Sequence, residues 1–267
     1  MIQSIIRILV LILTIIFFIF LFIFLKPKYK FPEQNVESHI YMSDYDIKNL
    51  LHKDIKIIHG NLMSELPEQI IAYKYIDPND SILELGGNIG TNSIIINSKL
   101  NNKNNHVVIE PLKDIISKLE DNRNINNAKF QIFNGAISKK PLIQNGWRTK
   151  NIPQSGIIEQ DWFEIPTISY DEFIKKVGIN FNVIVADCEG CLNSILIENP
   201  SILKQINKII LEHDFPDNNS YFTFIKLMKD NGFKKIAYMK KGDKHCPDIN
   251  WSDGVKIDTD FVSVWKK

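Results

Sequence analysis

Residues 81–93 read Ser-Ile-Leu-Glu-Leu-Gly-Gly-Asn-Ile-Gly-Thr-Asn-Ser. Ile82–Leu85 is a short apolar run with the length of a buried strand, and Thr91–Leu100 carries apolar residues at helical spacing. Between them stand Gly86, Gly87 and Gly90. A strand, a glycine turn and a helix open an α/β unit, whose ligand crevice lies at the carboxyl end of the strand. Glycine permits the tight turn and lets a ligand approach the backbone. The first amides of the following helix point at the same place. A nicotinamide dinucleotide turn, G-x-G-x-x-G, needs glycine where Asn88 and Thr91 stand. The pattern present is acidic-x-Gly-x-x-x-Gly, through Glu84, Gly86 and Gly90. A carboxylate at Glu84 suits the cationic amino-acid end of S-adenosylmethionine and repels a pyrophosphate. An ordinary strand-to-helix turn is the competing reading of these residues.

Downstream the same alternation continues. His106–Ile109, Lys129–Phe133, Asn182–Ala186 and Ile206–Leu211 read as strands, and Phe233–Met239 and Phe261–Trp265 close the chain as two more. Helices fall between them: one opened by Pro111 with Leu112, Ile115, Ile116 and Leu119 in phase, then Asp171–Val177 and Tyr221–Asn231. Asp44–Leu51 and Ser64–Ile76 read as helices before the first strand, with Ser64 as N-cap and Pro67 and Glu68 in the first turn. Gly135–Pro166 reads as irregular and carries Trp147, Trp162 and Phe163; a loop of that length is a candidate lid over an acceptor. The expected fold is α/β: a mostly parallel seven-stranded sheet with helices on both faces, its last two strands an antiparallel pair at the edge.

Each strand end is then a candidate site. Glu110-Pro111 ends the second strand, 26 residues after Glu84, where an acid accepts hydrogen bonds from both ribose hydroxyls. Asn134-Gly135-Ala136 ends the third, where a backbone amide can meet an adenine edge. Asp187-Cys188-Glu189-Gly190 ends the fourth. Two acids directly after a buried strand are costly without partners. They could hold a metal, orient an acceptor or act as general base, or simply favour a helix N-terminus. Glu212-His213-Asp214 ends the fifth, with His213 the best-placed histidine for proton transfer. Cys188-x-x-Cys191 with His245-Cys246 is a poor zinc set, because adjacent ligands make bad chelate spacing. A divalent metal is therefore not supported, and the three cysteines read as reduced thiols rather than a disulfide framework.

The bulk properties narrow the class. The chain has 267 residues, 44% hydrophobic and 24% charged, with a net charge of +1. No basic stripe marks nucleic acid as the main partner, and the fourth strand lacks an N-P-P-Y-type tetrapeptide of nucleic-acid methyltransferases. Ile8–Leu25 contains one polar residue, Thr14, and no charge, which predicts an uncleaved single-pass membrane anchor. Lys26, Lys28 and Lys30 follow it, so the rest of the chain is expected on the cytosolic side. The expected organisation is an anchor over 1–28, a linker and lead-in over 29–60, and the catalytic domain over 61–267.

These residues together resemble the FkbM-type methyltransferases, a family of class I S-adenosylmethionine-dependent enzymes, over roughly Ile82–Trp265. The family's (D/E)-x-G-x-N-x-G is matched by Glu84, Gly86, Asn88 and Gly90, and its second-strand E-P by Glu110-Pro111. Its stretch from P-T-x-x-x-D to K-x-D-x-E-G is matched by Pro166, Thr167 and Asp171 and then by Asp187, Glu189 and Gly190; its fifth-strand glutamate is Glu212. Val185 and Cys191 depart from it, standing where lysine and alanine are usual. The resemblance implies a Rossmann-like class I methyltransferase fold. It also implies S-adenosyl-L-methionine as methyl donor over Glu84, Gly86, Asn88, Gly90 and Glu110, to which the turn and strand-end reading adds Gly87, Asn134 and Ala136 as candidate cofactor residues. O-methylation of a sugar, glycan or other small-molecule hydroxyl is implied near Asp187 and Glu189, with His213 the candidate base from its strand end. A catalytically inert membrane-tethered binding module of the same fold, or a methyltransferase acting on lipid or nucleic acid, is the alternative reading.

Overall fold

The computed structural model describes residues 40–246 and 260–267. The anchor expected over 8–25 lies outside the described residues. Among those that are described, no helix is long and apolar enough to cross a membrane.

The part of the lead-in that is described packs into the domain. Ile40, Met42, Ile47 and Leu51 are buried in the same apolar cluster as the first long helix. A helical segment spans Asp44–Asp46 and Ile47–Leu51, capped by Ser43, whose side chain accepts from the Asp46 amide. Helix α1 (Leu66–Tyr75) follows; Glu65 rather than Ser64 stands at its N-cap, and Pro67 sits in its first turn, where no amide partner is lost. Then come β1 (Ile82–Leu85), α2 (Thr91–Lys99), β2 (His106–Glu110), α3 (Lys113–Ile125) and β3 (Gln131–Asn134). Five short strands follow: β4 (Ala136–Ile137), β5 (Leu142–Asn145), β6 (Arg148–Asn151), β7 (Phe163–Ile165) and β8 (Thr167–Ile168). The chain continues with α4 (Tyr170–Val177), β9 (Val183–Ala186), α5 (Cys191–Glu198), α6 (Ile202–Gln205), β10 (Lys208–Glu212), α7 (Asn218–Asp230), β11 (Lys234–Lys240) and β12 (Asp260–Lys266). Local chemistry sets α4 sharply: Ser169 and Glu172 form a reciprocal capping box, and Gly178 ends the helix at φ 68°.

The main sheet has seven strands in the order β11-β12-β10-β9-β1-β2-β3. β10, β9, β1, β2 and β3 are parallel, and β12 runs antiparallel between β10 and β11. The chain reverses direction of travel between β1 and β9, which makes their carboxyl ends the topological switch point. The expected mainly parallel seven-stranded sheet with an antiparallel pair at one edge is present.

Both faces are apolar, as a doubly covered parallel sheet requires. Leu83, Leu85, Ile109, Ile184, Ala186 and Leu211 pack on one face with α4, α5, α6 and α7. Ile82, Val183, Val185 and Ile210 pack on the other with α1 and α2, and Val108 meets α3 there through Leu119. The stretch expected to be irregular is ordered instead. β5, β6 and β7 form a separate three-stranded antiparallel sheet, and β4 pairs with β8. Two helices not foreseen, α5 and α6, connect β9 to β10.

At the amino end of the strands lies a satisfied charge network. Lys208, 2% exposed, donates through Nζ to Asp80 (2.8 Å), Asp77 (2.7 Å) and the Tyr75 carbonyl (2.6 Å). Asn182 donates to Asp80 Oδ1 at 2.9 Å and accepts from the Ser81 amide at 2.7 Å, tying β9 to β1. Removing one partner of such a pair strands the other charge. Asp80→Ala is expected to cost about 3–5 kcal/mol in urea unfolding while leaving ligand binding at the opposite end of the sheet intact.

Candidate active site

The carboxyl ends of β1, β2, β9 and β10 open into a cavity of about 470 Å³, within the usual size of a small-molecule site. The turn after β1 forms one side. Gly86 has φ 87°, and a Cβ there would lie 1.6 Å from the Asp187 carbonyl oxygen, so only glycine lets the turns after β1 and β9 touch. Asn88 also holds a left-handed φ, 43°, a conformation asparagine tolerates. The Gly86 and Gly87 amides both donate to the Ile109 carbonyl (3.0 and 3.1 Å), welding the turn to β2.

Glu110 lies in the wall, as expected from its strand end. Its Oε2 accepts from the Asn88 amide (2.8 Å) and its Oε1 from the Leu112 amide (2.8 Å), so it holds the glycine turn. Burial raises its pKa against those hydrogen bonds. Each oxygen keeps a second lone pair for a ligand hydroxyl.

Glu84 is placed elsewhere. It shares the parity of Ile82, turns to the α1–α3 face and accepts from His106 Nε2 at 2.8 Å, both side chains buried. It does not line the cavity. The third-strand residues are also partly committed. Asn134 Nδ2 donates to the Glu110 and Pro111 carbonyls (2.9 and 3.1 Å), and the Ala136 amide donates to Pro166 (2.8 Å), so that amide is spent within the protein. Ala136 itself remains in the wall.

Asp187 and Glu189 both line the cavity. Asp187 hydrogen-bonds through its side chain to Glu212, which joins the site from the end of β10. Two carboxyls in contact must share a proton. Burial, reinforced by the Glu212 charge, holds Asp187 well above the usual carboxylate range. Burial likewise pushes Glu212 up to about 8 and Asp214 up to about 6. Asp214 Oδ2 accepts from the Gly190 amide at 2.8 Å and so fixes the turn that carries Glu189. Glu189 is itself strained, at φ 54°, and is raised by burial with the Arg148 charge opposing. His213 is not brought to this cavity. Its parity is that of Leu211, and its Nε2 meets Ser263 Oγ at 2.6 Å in the core beneath α7.

The cysteines differ from expectation. Cys188 and Cys191 form a disulfide in the cavity wall, bridging the Glu189-Gly190 turn, and only Cys246 is a free thiol. Their side chains meet because Gly190, at φ 81°, doubles the chain back into the first turn of α5. Among the described residues no cluster of His, Cys, Asp or Glu has the arrangement of a metal site.

Two acids come from outside the strand ends. Glu65 accepts from Asn88 Nδ2 (3.0 Å), Thr91 Oγ1 and the Asn92 amide (3.3 Å), clamping the glycine turn from the front of α1. Glu68, one turn on, is 5% exposed and lies in the wall, and its Oε2 has no hydrogen-bond partner. Burial, with the Asp187 charge adding, raises it well above its ordinary value. The far wall is the β5–β6 hairpin, through Gln144, Trp147, Thr149 and Lys150.

No family model and no curated protein matches the chain. Among solved structures it is similar to the precorrin-6y C5,15-methyltransferase of Geobacter metallireducens GS-15, at TM-score 0.47 and 8% identity over 81% of this chain and 95% of that one. It is also similar to the ribosomal protein L11 methylase of Lactobacillus delbrueckii subsp. bulgaricus, at 0.45 and 10% over 79% and 81%. A third is the precorrin 8w decarboxylase of Methanobacterium thermoautotrophicum, at 0.44 and 12% over 80% and 97%. Likeness at this level carries no argument about activity or ligand. The strand order and the cavity stand on their own hydrogen bonds.

The acids of this cavity give the fold a distinct pH response. Each raised carboxyl holds more of its proton in the folded state than in the unfolded chain, so stability falls as pH rises. For Glu212 the window runs from its ordinary 4.5 to about 8. The thermal midpoint of the unliganded protein is expected to fall steadily from about pH 5 to about pH 8.5. Glu212→Gln should flatten the upper half of that fall; a parallel curve for the variant would remove Glu212 from the cause.

Proposed function

We propose that this chain is an S-adenosylmethionine-dependent methyltransferase acting on a hydroxyl of a sugar, glycan or other small molecule. The observation that carries the reading is the carboxyl lining of the cavity at the switch point, with little cationic side chain to receive a phosphate. Glu65, Glu68, Glu110, Asp187, Glu189 and Glu212 all line it. The lysine in the wall, Lys150, is engaged by Glu159 at 2.8 Å and by the Trp162 ring. Such a wall opposes a dinucleotide pyrophosphate, which needs donors and positive potential at the glycine turn. It suits a nucleoside that bears positive charge.

The residues fit that group. Glu110 would hold the ribose hydroxyls, and the Gly86–Gly90 turn leaves room against the backbone because no Cβ fills it. Glu84 would act only through the turn, since it lies behind it with His106. When bound, S-adenosylmethionine supplies a methyl on a cationic sulfur, an electrophile that needs an aligned oxygen and a base. The Asp187–Glu212 pair supplies the base. In its singly ionised form one carboxylate takes the hydroxyl proton, and the raised pKa makes it a stronger base than a solvated carboxylate. Glu189 stands beside them at the rim, where Arg148 of the hairpin acts on its charge. O-methylation as the reaction type is supported by the FkbM resemblance at Asp187, Glu189 and Glu212.

Residues 8–25 are proposed as a single-pass anchor, with Lys26, Lys28 and Lys30 placing the domain on the cytosolic side. With Cys188 and Cys191 joined in a disulfide, that placement rests on the lysines alone.

Titration calorimetry of the full-length chain with S-adenosylhomocysteine is expected to show saturable one-site binding, with none for nicotinamide dinucleotides. Absence of heat with the first ligand would sink the reading. Asp187→Asn should retain that binding and lower transfer of labelled methyl into host glycan, lipid or small-molecule fractions by about 10²–10⁴-fold. Transfer at the unchanged rate would remove Asp187 from the chemistry.

A further inference from the structure

Resting on the methyltransferase reading, we propose that the acceptor carries a protonated amine beside its hydroxyl, and that Glu68 is the residue that reads it. Three acids, the buried Glu68 and the half-buried Asp187 and Glu212, line one cavity, and each acts on another's charge. Among the described residues none of the three forms an ion pair. An acidic cluster alone could remain protonated and inert. Two further atoms indicate otherwise. Glu68 Oε2 is buried without a partner, and so is Gln144 Oε1, on a side chain 2% exposed whose Nε2 is spent on the Gly146 carbonyl at 3.0 Å.

A buried acceptor without a donor is destabilising, and the cost persists unless a ligand supplies the donor. Both orphan atoms belong to residues that line the cavity, and both ask for N–H or O–H groups. At Gln144 an amide oxygen takes a neutral donor such as a hydroxyl. At Glu68 burial holds the carboxyl protonated in the empty cavity; an ammonium placed there favours its ionised form and carries three donors to spread over Glu68 and Glu212. Trp147, 53% exposed, also lines the cavity and offers an indole ring for the body of the ligand. An aminated polyol has this combination: an ammonium, several hydroxyls and a flat ring face. A phosphorylated or carboxylated acceptor would meet the carboxylates and is disfavoured.

The test uses the full-length chain and three hexoses: glucosamine, N-acetylglucosamine and glucose. Ligand-observed NMR on protein saturated with S-adenosylhomocysteine should show glucosamine binding about ten- to a hundredfold more tightly than the two uncharged sugars. Acetylation removes the charge on the ligand side, so this comparison holds whether or not a protein variant folds. Glu68→Gln should abolish the preference for glucosamine over the two uncharged sugars. Equal binding of the three sugars, no sugar binding, or a preference that survives Glu68→Gln would overturn the proposal. A tenfold loss of S-adenosylhomocysteine affinity in that variant would overturn it too, by assigning Glu68 to the cofactor. Failure of the methyltransferase reading looks different: S-adenosylhomocysteine gives no binding at all, whatever glucosamine does on the unloaded protein.

Discussion

The site depends on one close contact, the turn after β1 pressed against the turn after β9 at Gly86 and the Asp187 carbonyl. A side chain at position 86 would occupy the space of that oxygen. The contact brings the glycine turn, the Asp187–Glu212 pair and, through the Asn88 amide, Glu110 into one cavity. It also joins the two halves of the doubly wound sheet where the strand order reverses, the place where such sheets bind ligands. The turn is held from three directions: by β2 through Ile109, by Glu110 through Asn88, and by Glu65 through Asn88, Thr91 and Asn92. A turn so restrained is pre-organised, and binding to it orders little that is not already ordered.

Much of the sheet was legible in the sequence because strands buried on both faces are nearly unbroken apolar runs. That same property hid the face each side chain takes. In Ile82–Leu85 both parities are apolar apart from Glu84, so nothing local told whether Glu84 meets the cavity or the helices behind it. The register with His106 decides it. Glu212 and His213 pose the same question at the end of β10, and neighbouring positions take opposite faces. Glu65 and Glu68 were not legible as site residues. They belong to the helix before the first strand, where an acid in the first turn is already explained by the macrodipole. The β5–β6–β7 sheet was missed because Leu142–Asn145 and Arg148–Asn151 are short and mixed in polarity; Asn145-Gly146, at the two-residue loop that joins them, was the hairpin signal available. The Cys188-x-x-Cys191 spacing is compatible with thiols or a bridge, and the fold of Gly190 brings the sulfurs together.

Two buried charged groups at opposite ends of the same sheet show what the cavity lacks. At the amino end Lys208 meets Asp77 and Asp80 directly, and Asn182 takes the remaining oxygen of Asp80. That cluster is complete within the protein and serves stability. At the carboxyl end the buried Glu68 and the half-buried Asp187 and Glu212 line one cavity, Asp187 bonding to Glu212 and Glu68 Oε2 left unmatched. The fold therefore can supply a lysine to buried acids in this sheet; at the cavity, among the described residues, the lysine in the wall, Lys150, pairs with Glu159 instead. Burying acids in this way costs stability, more as pH rises, and the loss is tolerated where a ligand restores the balance. The charge missing from the carboxyl end is positive, and the cavity is open to receive it from outside.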